Sequence, residues 1–488
     1  MGFTTLDYAV VLLYLVGTAL FGIFVGRGQK NINDYFLAGR AVPWWMICFS
    51  IVATETSTLT FIGAPALSYA GNLTFLQVVF GYIIGRVLVS FLLLPAYFRG
   101  QIQTAYQVLL SRFGNRVRSF SALLFLITRS LADGVRLFST GLVLSVVTGI
   151  PDTWAVLLIG SITALYTFYG GFLAVIWNDV IQLGIYLAGA AIAFHLLLGK
   201  LPGGWSDFLL WAETSSKLRI LDFSFSLSSP YTFWSGLIGG AFLTLATHGT
   251  DQMMVQRYLA SGSLRRSQMA LIASGVVVLL QFSLFLIIGV MLYRFYQLFP
   301  LENALEQTDR IFPTFIVQEM PPGISGLIIA AIFAAAMSTL SSSLNSLASS
   351  SIHDLYKPYL RKGLSAQLVP DDDSNASREL KISRILTLAW CGVLIAISLL
   401  ARNWGSVLEV GLTITSITIG SVLGIFALGA WSTRVRQTGG LIGMVSGLVV
   451  MVAVHSSGSV AWPWYVLIGS AVTFVVGMLS ATFRRAGS

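Results

Sequence analysis

Charge is scarce in this chain, cysteine nearly absent and histidine thin, and each shortage argues against a class of function. Only 10% of the 488 residues are charged, against about 25% in an ordinary soluble domain, so the chain cannot build a water-solvated exterior over so much apolar surface. The two cysteines, Cys48 and Cys391, lie in apolar runs with no cysteine or histidine at a ligand spacing, which argues against redox and metal-cluster roles. The four histidines, His195, His248, His353 and His455, are scattered on separate elements. A membrane transferase would need a paired acid and base or a metal cluster facing one leaflet, and none is found. The longest polar stretches, 201–231, 294–323 and 357–384, are too short to fold as soluble domains.

What the chain has instead is apolar length. Hydrophobic residues make up 56% of it, in runs of about 20 residues, each enough to cross roughly 30 Å of hydrocarbon. In lipid such runs must be helices, because nothing there satisfies open backbone groups. About thirteen transmembrane helices are expected, at 6–26, 43–70, 74–98, 119–149, 152–170, 174–199, 232–256, 267–293, 324–352, 385–401, 404–430, 438–455 and 461–482. The run 6–26 has no basic region before it and no small-residue cleavage site after it, so it reads as a mature helix and not a signal peptide. The fold class is an all-α polytopic membrane protein.

The formal charge of +9 is explained by its placement. Threading the spans with the N-terminus outside puts 20 of the 29 Lys and Arg on one side, six on the other, and three, Arg86, Arg129 and Arg136, within helices. Bilayer insertion selects such asymmetry. The expected location is therefore the inner membrane, N-terminus extracytoplasmic and C-terminus cytoplasmic, with anionic headgroups and not nucleic acid as the partner of the basic loops. The stretch 357–384, with Asp371 to Asn375, reads as a flexible cytoplasmic loop. Glu302, Glu306, Asp309 and Glu319 lie in an outer loop, solvated or gathering cations.

Two spans are interrupted where a span should be smoothly apolar. One runs from Ala53 through Thr54, Glu55, Thr56, Ser57 and Thr60 to Pro65; the other, five spans later, from Thr244 to His248, Gly249 and Thr250. Polar, Gly-interrupted segments at corresponding positions of two halves point to broken helices at a midplane site; independent kinks eased by Ser and Thr are the alternative. In the span beginning near 324, Ala335, Ser338, Thr339 and Ser342 share one helix face. Their oxygens suit a hard monovalent cation, or serve as interhelical glue. Asp179 stands a short way into a span with no basic residue near it in sequence, so a cation or interfacial water is its natural partner.

Arg129, Asp133 and Arg136 fall on one helix face, so Asp133 can pair with either arginine. They form either an internally neutralised network, or a site in which Arg129 grips a solute carboxylate while Glu55 accepts a hydroxyl or amine. Arg86 is a candidate structural partner for Glu55. His248 either bonds a solute or is a satisfied structural residue. Trp44, Trp45, Phe61, Tyr69, Tyr166 and Tyr169 read as interfacial anchors or packing, with some able to gate a cavity.

Four ordered motifs then carry a resemblance over nearly the whole chain: Asp34 to Arg40; Gly170 and Gly171 followed by Trp177 and Asp179; Asp251 and Gln252 through Gln256 and Arg257; and Ser338 and Thr339 through Leu344, Asn345 and Ser346. Together they resemble the sodium/solute symporter family. The resemblance implies a LeuT-like core of five plus five inverted helices, with a first repeat at 43–200, a second at 232–430 and an extracytoplasmic loop at 201–231 between them. One helix (1–42) precedes the core and two (431–488) follow it. It implies a shared sodium site at Ala53, Thr56, Ala335, Ser338 and Thr339, and a second, found in some members, at Asp179, Ser338, Ser341 and Ser342. Ser57 and Thr60 resemble family residues that face the substrate; Glu55 departs from the residue type of its position.

The expected function is import of a small polar organic solute, carboxylate- or hydroxyl-bearing, by alternating access with one or two sodium ions per cycle. Substrate-binding candidates are Glu55, Ser57, Thr60, Arg129, Asp133 and His248. The protein is expected to be no enzyme, to need no cofactor beyond Na+ and to work as a monomer in the bilayer. The alternatives are a proton-coupled symporter, which Asp179, Glu55 or Asp133 could serve, and a transporter-like sensor acting with a separate signalling partner. Anions such as iodide stay open as cargo.

Overall fold

The computed structural model describes residues 3–26, 29, 31–100, 102–301, 308–360, 373–401 and 407–483. Every regular element among them is helical, as burial in lipid demands. In chain order the helices are α1 (Thr5–Val25), α2 (Ile32–Leu37), α3 (Trp44–Glu55), α4 (Thr58–Ala70), α5 (Leu76–Leu88), α6 (Leu94–Tyr97), α7 (Gln107–Phe113), α8 (Asn115–Thr148), α9 (Asp152–Lys200) and α10 (Gly204–Thr214). Then come α11 (Gly240–Gly249), α12 (Gln252–Ala260), α13 (Leu264–Leu298), α14 (Ile311–Glu319), α15 (Ile324–Ser350), α16 (Lys357–Leu360), α17 (Asp373–Leu400), α18 (Val407–Trp431), α19 (Gln437–Ser457) and α20 (Tyr465–Phe483).

Local chemistry sets several of these ends. Thr4 caps α1 in a reciprocal box with Asp7, its hydroxyl 2.6 Å from one carboxylate oxygen. The other oxygen of Asp7 accepts from the Gly323 and Gly326 amides, both at 2.7 Å. A carboxylate on α1 thus sits at the positive end of α15 and joins the two helices. Helix α15 is buried along almost its whole length and packs most extensively on α9, with α1, α3, α8 and α17 around it.

Helix α9 has 49 residues, which would reach about 74 Å if straight, more than twice a hydrocarbon core. It doubles back at Gly171, where φ is 54° and ψ is −157°. Only glycine adopts that conformation without strain, and a Cβ there would meet the Tyr35 carbonyl at 2.9 Å. Gly22 of α1 touches both Tyr166 and Asn178, one on each side of the bend. On a straight helix those residues would lie about 18 Å apart.

Nine described helices are long and apolar enough to cross a membrane, or ten if the bent pair Ile32–Arg40 and Trp44–Glu55 is one span. The expected count of thirteen differs for physical reasons. Helix α9 holds two expected spans in one element. The expected span 43–70 is divided into α3 and α4 by Thr56, whose φ of −85° and ψ of 97° are extended. The span 232–256 is divided into a wide π turn (Ser235–Gly239), α11 and α12. Helix α8 carries Arg116, Arg118, Arg129, Asp133 and Arg136, which dilute its hydropathy.

Helices also occupy stretches expected as loops. Region 201–231 contains α10 and region 294–323 contains α14, while 357–384 is helical from Asp373 onward. Glu319 forms a half-exposed ion pair with Lys200 at 2.8 Å. Glu302, Glu306, Asp371 and Asp372 lie outside the described residues.

Candidate functional site

Because α3 stops at Glu55 and α4 starts at Thr58, carbonyls of the last turn of α3 have no continuing helix to pair with. The hydroxyl face of α15 meets them. Thr339 Oγ1 lies 3.1 Å from the Thr54 carbonyl and 3.3 Å from the Ala335 carbonyl. Ser338 donates to Asp179 Oδ1 at 2.5 Å. Gln281 of α13 donates to Thr56 Oγ1 at 2.6 Å. Ala53, Thr56, Ala335, Ser338 and Thr339 are all buried, and of these Thr339, with the Ala335 carbonyl beside it, meets the end of α3 through the Thr54 carbonyl. Their oxygens are neutral carbonyls and hydroxyls, the donor set a sodium ion takes. Among the described residues no group of His, Cys, Asp and Glu could hold a metal ion of another kind.

Asp179 is fully enclosed, and its partner is a side chain. Arg257, equally enclosed, places Nη2 2.9 Å from Asp179 Oδ2; Ser50 donates to the same oxygen. Arg257 also donates to the Thr54 and Ser342 hydroxyls and to the Met253 carbonyl. Of the second expected ion set, Asp179, Ser338 and Ser342 therefore share one hydrogen-bonded cluster. Ser341 instead donates to the Ser338 carbonyl of its own helix at 3.0 Å. A buried guanidinium without this company would be prohibitively costly.

Beside the two breaks lies a cavity of about 930 Å³, counted with its open mouth. Glu55, Ser57, Thr60, Arg129 and His248 line it, and so does Arg136. Asp133 stands behind this wall, in a smaller space of about 250 Å³ that it shares with Arg136 and Thr339. It accepts from Arg136 at 2.6 Å, lies 3.6 Å from Arg129 and receives the Ser343 hydroxyl. Arg129 also pairs with Asp251, and Glu55 with Arg86. His248 Nε2 is 3.5 Å from Glu55, and its Nδ1 is 3.1 Å from Thr247 Oγ1. Arg136 is the more open of the two arginines, its side chain 21% exposed against 7% for Arg129.

Of the aromatics, Trp44, Trp45 and Tyr169 are exposed, whereas Phe61 and Tyr166 are core residues. Phe61 stacks on Phe312, and the Tyr166 hydroxyl donates to the Met337 carbonyl.

Sequence reasoning left Ser50, Thr54, Asp251, Arg257 and Gln281 without roles. Asp251 and Arg257 lay inside a recognised motif, which was the available signal. The structure shows what that motif does: Gln256 donates to the Phe36 carbonyl at 2.6 Å and to Asn345 Oδ1 at 2.5 Å. Tyr35 packs over Gly171 and its hydroxyl donates to the Thr167 carbonyl. All four motifs thus meet around the α9 bend and the first break.

A model of the sodium:solute symporter family matches residues 35–447. The sodium/sialic acid symporter NanT of Aliivibrio fischeri is 31% identical over 487 residues, covering 98% of this chain and 93% of that protein. The sodium/iodide cotransporter of Homo sapiens is 31% identical over 457 residues, covering 91% of this chain and 68% of that one. A solved structure of a substrate-bound, outward-open Na+-coupled sialic acid symporter is similar with a TM-score of 0.89 at 30% identity, covering 98% of each chain.

Proposed function

The chain belongs to the sodium:solute symporter family, and on that premise we propose that it imports a small carboxylate- or hydroxyl-bearing organic solute by alternating access. Membership makes it a multi-pass membrane transporter and not an enzyme, with sodium as its coupling ion. The observation that carries the solute reading is the cavity at the two helix breaks. Arg136 and the hydroxyls of Ser57 and Thr60 face it, a guanidinium for a carboxylate and hydroxyls for a polyol. Phe75, Tyr82 and Phe282 supply an apolar wall. Within that class a sialic-acid-like solute, the cargo named for the Aliivibrio relative, is the first to test.

We assign the shared sodium site to Ala53, Thr56, Ala335, Ser338 and Thr339, and a second to Asp179, Ser338, Ser341 and Ser342, giving one or two ions per cycle. Sodium at the second site competes with Arg257 for Asp179, so that site fills only when the guanidinium withdraws. An ion bridging α3 and α15 holds one relative position of the repeats 43–200 and 232–430. Ion binding that differs between outward and inward states is what couples ion to solute. Orientation in the inner membrane, N-terminus extracytoplasmic and C-terminus cytoplasmic, rests on the charge asymmetry of the loops, and a monomeric transport unit is proposed with it. The proton-coupled reading is weakened because Glu55, Asp133 and Asp179 are each held in an ion pair that must break before the carboxylate carries a proton.

The test is the thermal midpoint of the purified protein in sodium chloride against potassium chloride at equal ionic strength, across sialic acid, sugars, monocarboxylates and iodide. Ligands that bind only the folded state raise the midpoint by mass action. A sodium-specific rise enlarged by one solute supports the proposal; equal midpoints in both salts would defeat it.

A further inference from the structure

We propose that a groove on the basic-loop side, between residues 89–97, α7 and the end of α18, binds one anionic glycerophospholipid. The groove measures about 1570 Å³ with its open mouth and shares no lining residue with the solute cavity. Its outer wall is apolar and turned away from the protein: Phe91 is 63% exposed, Leu92 49% and Trp431 69%. A tryptophan at a helix end beside such a wall belongs at the membrane interface.

Arg99 and Arg112 are the charged residues of the lining, and no carboxylate faces them. Arg99 is exposed and has no ion pair among the described residues. Arg112 uses Nε and Nη2 on the Ser432 carbonyl, leaving Nη1 out of that contact. Two guanidiniums in the lining beside an exposed apolar wall match a phosphodiester headgroup and its acyl chains. A basic protein partner finds no acidic residue in this lining. The leaflet follows from the orientation proposed above; the lipid class follows from the lining alone.

The wall itself is irregular. Residues Val89–Leu93 form a single π turn, and Pro95 follows, unable to donate the next ladder bond. Such turns recur at functional sites. The Tyr97 hydroxyl donates to the Gly249 carbonyl, and Leu93 packs so closely on Gly249 that a Cβ there would collide with it. Gly249 ends α11, immediately before the second break and next to His248 of the solute cavity. A lipid in the groove therefore bears on the element that carries that break.

Native mass spectrometry of the delipidated protein, given equimolar phosphatidylglycerol and phosphatidylcholine, tests this without any transport assay, so its failure is separate from failure of the symport reading. The wild type is expected to retain phosphatidylglycerol preferentially. Arg99→Gln, an exposed and unpaired position, should lower that preference about five-fold. Ala96→Trp, which fills the groove, should reduce retention of both lipids, and Arg116→Gln, exposed on α8, should change neither. An unchanged preference in Arg99→Gln overturns the proposal. So does undiminished retention in Ala96→Trp, displacement by free glycerol phosphate, or a dimer peak replacing bound lipid.

Discussion

Asp179 and Arg257 have no solvent to fall back on, so each is the other's main source of stability. Asp179→Ala leaves the guanidinium enclosed with neutral hydroxyls and the Met253 carbonyl, a loss of about 3–5 kcal/mol for a broken buried pair. The variant should show a clearly lower thermal midpoint in detergent, and Arg257→Gln in the same background should recover part of it. If sodium and Arg257 compete for Asp179, Arg257→Gln alone should sharpen sodium activation of uptake while lowering the midpoint. A sodium response identical to wild type would separate Asp179 from ion binding. In the solute cavity the open arginine is Arg136. Arg136→Ala should raise the apparent KM for a carboxylated solute at least ten-fold with modest destabilisation, whereas Arg129→Ala strands Asp251 and should act mainly on stability. Uptake kinetics beside thermal midpoints distinguish the two. The pairing of Asp133 with Arg136 was legible because helical spacing of three and four residues brings side chains together. The pair Glu55 with Arg86 was readable as a candidate because both charges stand in apolar spans and need partners, whereas Asp179 with Arg257 was not, since they join different helices and Arg257 looked like a loop residue.

Among elements, the broken helices were the most readable, because Thr, Ser, Gly and Pro interrupt otherwise apolar runs at Thr54–Pro65 and Thr244–Thr250. The proposed sodium site lies where α3 ends against α15, so Thr339→Ala, which removes the hydroxyl that bridges Thr54 and Ala335, should weaken sodium activation of uptake. Sodium titration of transport measures it, and an unaltered half-saturation would place the ion elsewhere. Close packing of backbones was invisible in sequence. Gly289 of α13 lies against the Pro65 carbonyl and Ser68 on α4, where a Cβ would collide. Gly289→Ala should cost about 1–3 kcal/mol by overpacking and read out as a lower midpoint and reduced uptake. The two spans 152–170 and 174–199 were legible as apolar runs on each side of Gly171; the sharp bend at Gly171 that folds one back on the other was not.

For the whole molecule, apolar run length and loop charge were enough to read an all-helical membrane fold, because lipid leaves the backbone no other solution. The helices inside 201–231 and 294–323 escaped notice because they are short, 11 and 9 residues, and lie outside the long apolar runs. Orientation can be checked directly, since Cys48 and Cys391 are both buried and an added surface cysteine would react first. Ser224→Cys should label with a membrane-impermeant maleimide in intact cells, and Ser111→Cys only after lysis; the reverse pattern would invert the topology. The enclosed Arg257 also bears on how the chain is made. A buried guanidinium without its counter-charge costs about 3–5 kcal/mol, and Asp179 was synthesised 78 residues earlier. The segment 252–260 should therefore wait in the insertion channel until the α9 hairpin is in place to receive it, so that biogenesis has an obligatory order written by one ion pair.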